Sequence, residues 1–210
     1  MPDHVPAPPD VEELCRVLDR YGPTLLSTAA ASIDHGLSQG GPLDVAAADF
    51  DDALRAPRAT FVTLQRHGSL RGCIGSAEAY RPLIEDVAAN AFAAAFRDSR
   101  FPPLTLAERD GLEISVSVLS PPEPLRFADN DDLVRLLRPG VDGLILQYGH
   151  RRALFLPQVW AALPAPAMFV AELKRKAGIH DPVDAARLKA SRFLACSLSS
   201  TAPTLVRPEP

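Results

Sequence analysis

The sequence predicts an α+β protein: a largely antiparallel sheet with flanking helices. Three observations carry that prediction. The stretches "TFVTLQRHGSLRGCIGS" and "GLILQYGHRRALFLPQ" each read as an apolar strand, a Gly/His turn and a second strand, the pattern of a β-hairpin. Each is followed by a helical segment and later by a lone strand. Strands and helices do not alternate strictly, which argues against a parallel βαβ sheet. The likeness of the two hairpin stretches suggests an internal duplication of a β-β-α-β unit, the alternative being the similarity that any two hairpins share.

The elements follow in order. Val11, Leu14, Val17 and Leu18 recur at helical spacing after Asp10, which predicts a short helix over 10–20. Pro23 suits a first helical turn and Gly36 or Gly40 an end, predicting a second helix over 23–36. The acidic stretch "LDVAAADFDDALRAPR" reads as a connector with one helical turn. After the first hairpin, "YRPLIEDVAANAFAAAFRD" sets Leu83, Val87, Ala91 and Ala94 on one stripe, a helix of about five turns. "GLEISVSVL" alternates apolar and polar residues, as a half-buried strand does. A short helix is expected at about 131–138, and another over "AMFVAELKRKAG" with Gly178 as its C-cap. A last helix at about 183–190 and one closing strand, "RFLACSLSS", complete the prediction.

Composition bounds the function. The chain has 210 residues, 47% hydrophobic and 23% charged, enough for one sizeable core or two small ones. Proline is over-represented, 21 residues, with many at the two ends. Residues 1–22 are therefore expected to form an extension with a short helix, 23–200 the main domain, and 201–210 a disordered tail. No apolar run approaches the roughly 20 residues that span a bilayer, and the N-terminus lacks a basic and apolar leader, so the cytoplasm is expected. Cys15, Cys73 and Cys196 are far apart and form no C-x-x-C pair; neither a disulfide framework nor a thiolate zinc site is expected. The net charge of −4 gives nucleic-acid binding little support.

The segment Gly68–Ser76, "GSLRGCIGS", is the least strand-like of the strands, because Gly72 and Gly75 weaken it. Such glycines mark a bulge, a close helix or a ligand that approaches the backbone. Strict alternation would put Leu70, Gly72 and Ile74 on the core side and Arg71, Cys73 and Gly75 outward. Arg71 would then orient an anion beside Cys73, a candidate nucleophile, metal ligand or redox thiol whose thiolate a nearby cation favours. The alternative is a packed cysteine and a surface arginine beside a bulge. Secondary candidates are Arg97, Asp98 and Arg100 at a helix end, His67 and His150 in turns, and Gln158 near Trp160. No metal-binding motif, Walker loop or nucleophile elbow is present, and the residues leave any cofactor open.

Five blocks, "FVTLQRHGSLRGCIGS", "YRPLIEDVAANAFAAAFRDSRFPPLT", "LEISVSVLSPPEPL", "LLRPGVDGLIL" and "FLPQVWAALP", stand in order between Pro23 and Phe193. In this the chain resembles the family of AmmeMemoRadiSam system protein A, the AMMECR domain. The resemblance implies an α+β fold of two intertwined subdomains and a functional surface at Leu70–Gly75, with no established activity. It implies Memo-type (dioxygenase-like) and radical SAM proteins as partners, and a bacterial source is expected. Two departures bear on the site. Lys174 stands where a cysteine is common, and "IHDPVDAARLK" lacks a frequent tryptophan, so a site using Cys73 alone is expected rather than a two-cysteine one. Two functions remain in view: a binding component for such partners or a small anionic ligand, or an enzyme using Cys73 with Arg71.

Overall fold

A computed structural model describes residues 11–180 and 183–200, so the expected tail at 201–210 and the first ten residues lie outside the described residues. The chain divides into two units, residues 11–120 with 196–200 and residues 121–195. Each has its own four-stranded antiparallel sheet and helices, the α+β class the sequence predicts.

The first unit opens with α1 (Val11–Gln39). The two helices expected here are one, and the boundary expected after residue 22 falls inside it. Pro23 removes one backbone hydrogen bond, yet Leu14, Leu18, Leu25, Ala29 and Ile33 form an unbroken buried stripe across it. Burial of that stripe outweighs the roughly 3 kcal/mol an internal proline costs. The acidic connector carries a 3-10 turn, Ala47–Asp49, and the single helical turn α2 (Asp52–Arg55).

The expected hairpin is β1 (Ala59–Arg66) and β2 (Ser69–Gly75). Its two turn residues, His67 and Gly68, have φ of 53° and 74°, the doubly left-handed turn that matches strand twist. Helix α3 (Leu83–Phe96) covers β1 and β2 and packs on α1. Strand β3 (Leu112–Leu119) pairs with β1 and turns Ile114, Val116 and Val118 to the same buried side as Val62 and Leu64.

The second unit comprises β4 (Glu123–Leu125), α4 (Asn130–Leu136), the hairpin β5 (Gly143–Tyr148) and β6 (Arg151–Phe155), α5 (Pro166–Ala177) and β7 (Leu188–Phe193). Its core gathers Leu144, Leu146, Trp160, Phe169 and Leu173. The Trp160 and Phe169 rings stack 3.8 Å apart, and Trp160 donates to the Asp142 carbonyl at 2.7 Å. Gly178 ends α5 at φ 68°, as expected of a C-cap glycine.

The C-terminal prediction is corrected. In place of a helix over 183–190 there is one 3-10 turn, Ala185–Arg187, leading into β7. The closing strand is two strands, because β7 joins β5 in the second sheet while β8 (Ala195–Ser199) joins β3 in the first. The sheet orders are β2-β1-β3-β8 and β6-β5-β7-β4. In each sheet a hairpin is extended by the next strand on its first arm, β3 on β1 and β7 on β5. The fourth strand differs, β8 coming after its hairpin in the chain and β4 before its own.

The cysteine expectation is also corrected. Cys15 on α1 and Cys196 on β8 form a disulfide, their Cα atoms 5.5 Å apart. A separation of 181 residues hides the pairing from any spacing rule. Both cysteines are buried in the core, and Cys73 is the free thiol. No helix among the described residues is long and apolar enough to cross a membrane.

Candidate functional site

Strand β2 lies at the edge of the first sheet, and its local geometry breaks strict alternation. Leu64 faces Gly72 but Gln65 faces Leu70, so Arg71 is the extra residue of a β-bulge. The bulge turns Leu70 to the same side as Cys73, and Leu70 is 42% exposed rather than in the core. Gly72 and Ile74 keep the side shared with Leu64 and Val62.

Both glycines answer to close approach. A Cβ on Gly72 would run into the Ala94 carbonyl oxygen of α3. One on Gly75 would meet the Thr60 carbonyl and the Phe61 ring. The helix, not a ligand, occupies the space that Gly72 leaves.

Arg71 does not look outward beside Cys73, as alternation predicts. It is 8% exposed, and its Nε and Nη2 donate to Glu108 Oε1 and Oε2 at 2.7 and 3.1 Å. Nη2 also donates to the Pro102 carbonyl at 2.9 Å, and the guanidinium lies 5.8 Å over the Phe101 ring. Buried Nη1 has no hydrogen-bond partner. Glu108 is fixed in turn, accepting from the Thr105 backbone N–H and hydroxyl, both at 2.9 Å. Arg71, then the Thr105 amide, hold its carboxyl down to about 2.

The segment after α3 closes the edge. The Cys73 N–H donates to Asp98 Oδ2 at 2.9 Å, while Arg100 Nη2 donates to the Cys73 carbonyl at 3.2 Å. Arg100 also donates from Nε and Nη2 to Asp98, at 2.9 and 2.6 Å. One ion pair thus satisfies both backbone groups of an edge residue, as a further strand would. Arg100, then the Cys73 amide, hold the Asp98 carboxyl well below the usual carboxylate range. The Cys73 side chain is half-buried, and the Thr63 hydroxyl donates to Sγ at 3.3 Å.

Beneath the same hairpin lies a buried polar cluster. The Thr60 hydroxyl donates to Asp86 Oδ2 at 2.5 Å. Asn90 Nδ2 donates to Thr60 Oγ1 and Asp86 Oδ2, both at 2.9 Å, and Arg81 Nε donates to Asp86 Oδ1 at 2.7 Å. The cluster locks the segment after β2 onto α3. Among the described residues no three His, Cys, Asp or Glu side chains group as metal ligands.

The AMMECR1 family model matches residues 26–197. The chain belongs to the AMMECR1 family. It is 44% identical over 138 residues to a protein of Methanothermobacter thermautotrophicus, covering 66% of this chain and 71% of that one. It is 38% identical over 173 residues to a protein of Thermofilum pendens, covering 74% and 78%. The crystal structure of an uncharacterized protein from Pyrococcus horikoshii, PH0010, superposes with a TM-score of 0.78 at 31% identity, covering 89% of this chain and 96% of that one. These AMMECR1 relatives are archaeal and lend no support to a bacterial source.

Of the residues expected at the site of this AMMECR1 protein, Arg71, Cys73, Asp98 and Arg100 come together, with Leu70, Gly72, Ile74 and Gly75 supplying the strand. Arg97 does not join them: it is exposed and stacks over Phe92 at 5.0 Å. His150 and Gln158 belong to the second unit, both exposed. Sequence reasoning missed Glu108, Thr63, Thr60, Asp86 and Asn90. Glu108 had a signal, since Thr105-x-x-Glu108 is a helix-start pattern.

Proposed function

We propose that the protein is a non-catalytic binding component, and that β2 with the segment clamped to it is its docking surface. The partners in this proposal are Memo-type and radical SAM proteins, and no membrane or nucleic acid is involved. One observation carries it. The backbone groups of Cys73 and two nitrogens of the Arg71 guanidinium are taken up internally, by Asp98, Arg100, Glu108 and Pro102, while Leu70 stands 42% exposed. Leu70 precedes Arg71, and Leu106, 76% exposed, belongs to the short turn Leu106–Glu108 that the Arg71 pair draws in. A rigid frame with an apolar rim suits protein recognition.

The test is a calorimetric titration of the purified protein with each partner. Binding in the micromolar range, lost in Leu70→Asp and kept in Cys73→Ser, is the expected result. Binding that survives Leu70→Asp, or no complex with either partner, refutes it. We also place the protein in the cytoplasm, which cell fractionation checks.

A second reading, an enzyme that uses Cys73 as nucleophile or redox thiol, has one observation in its favour. Cys73 is half-exposed and its sulfur accepts a hydrogen bond from the Thr63 hydroxyl at 3.3 Å, so the thiol is both reachable and held in one orientation. Arg71, buried and ion-paired with Glu108, is not the outward cation that this reading needs to orient a substrate. Loss of cellular function in a folded Cys73→Ser variant would favour this reading.

A further inference from the structure

The second unit carries a feature that the docking surface does not use. At the turn end of its sheet, Gln147 pairs with Lys189 of β7 on one side and Arg152 of β6 on the other. Opposed residues of neighbouring strands project from the same face, so Lys189, Gln147 and Arg152 form a row across three strands. A depression of about 280 Å³ opens there, lined by Gln147, Gly149, Arg187 and Lys189. Lys189 and Arg187 are exposed, and among the described residues neither meets a carboxylate. Arg187 lies 5.2 Å over the Tyr148 ring, which steadies the guanidinium without neutralising it. The acidic side chain near it in sequence, Asp184, accepts from the Ala186 N–H through Oδ1. Gln147 Nε2 donates to the Gly149 carbonyl at 3.2 Å, which orients the amide at the edge of the hollow.

From this we infer an anion site, and the geometry points to the phosphate group of a small soluble ligand. Two neighbouring cations without a carboxylate partner make the hollow a local positive spot on a chain whose net charge is −4, and charge-assisted hydrogen bonds to a dianion would satisfy both. The hollow falls just under the roughly 300 Å³ at which drug-sized pockets begin. Two cations and one amide around it suit a single phosphate-bearing group.

The test follows backbone amide shifts of the full-length protein during titration with inorganic pyrophosphate in 0.15 M NaCl, where the screening length is about 8 Å. Saturable shifts at Gln147, Gly149 and Lys189 are expected. Arg187→Gln combined with Lys189→Gln should weaken the affinity about tenfold or more. Arg135→Gln, which removes another exposed cation of this unit, should leave it unchanged. No saturable shift by about 10 mM pyrophosphate, or equal weakening by the Arg135 substitution, overturns the site. Binding to phosphatidylserine vesicles without a response to pyrophosphate overturns it as well, by making the patch a membrane contact.

Discussion

Placing a methyl group on Gly72 is the sharpest perturbation of the clamped strand. The Cβ of Gly72→Ala would meet the carbonyl oxygen of Ala94, well inside contact distance. The obstacle is the backbone of α3, a 14-residue helix, and cannot swing aside as a side-chain tip can. Forcing atoms into such a site costs about 1–3 kcal/mol. For a protein of this length each kcal/mol lowers Tm by roughly 2–4 °C, so a fall of about 2–12 °C is expected. Thermal unfolding followed by circular dichroism, with urea unfolding in parallel, measures it. Gly41→Ala is the control, since nothing lies within 4 Å of that Cβ and its effect should stay within about 0.5 kcal/mol. If Gly72→Ala is as mild as Gly41→Ala, the glycine does not serve helix packing and that explanation of the motif fails.

Other outcomes are expected. Glu108→Gln leaves Arg71 buried without a counter-charge and should destabilise the protein at the lower edge of the roughly 3–5 kcal/mol that breaking a buried pair costs, measured by urea unfolding. Asp98 and Glu108 both have carboxyls depressed below their ordinary values. Their stabilisation is present in full above about pH 5, where the unfolded carboxylates are also ionised, and is lost as pH falls toward about 2. Glu108→Gln should flatten part of that acid limb. Reducing the Cys15–Cys196 disulfide, which closes a 181-residue separation, should cost about 5 kcal/mol on the loop-entropy estimate. A thiol titration of the native oxidised protein should count one free cysteine, and three after reduction.

The sequence made the hairpins legible because turn chemistry is local. His67-Gly68 at positive φ and Gly178 at an αL cap are set by neighbouring residues alone. Residues 70–75 stood out as a candidate for the same reason: two glycines, an arginine and a cysteine in six positions are unusual in a strand. What could not be read depends on distant chain. Arg71 turns inward because Glu108, 37 residues on, waits for it, and the bulge that sends Leu70 outward appears only in the register with β1. Pro23 looked like a helix start because its tolerance inside α1 rests on tertiary burial of both halves. The break at Leu194 was invisible because β7 and β8 join different sheets.

The central claim is that the Leu70–Gly75 strand works as a clamped edge and not through its sulfur. The rate of iodoacetamide alkylation of Cys73, in native protein with the Cys15–Cys196 bond intact, tests it most directly. Arg71 is taken up by Glu108, and Arg100, which lies beside Cys73, is ion-paired with Asp98. The thiol therefore has no cation to itself, and a rate close to that of glutathione is expected. Alkylation tens of times faster than glutathione would reveal an activated nucleophile and contradict the claim.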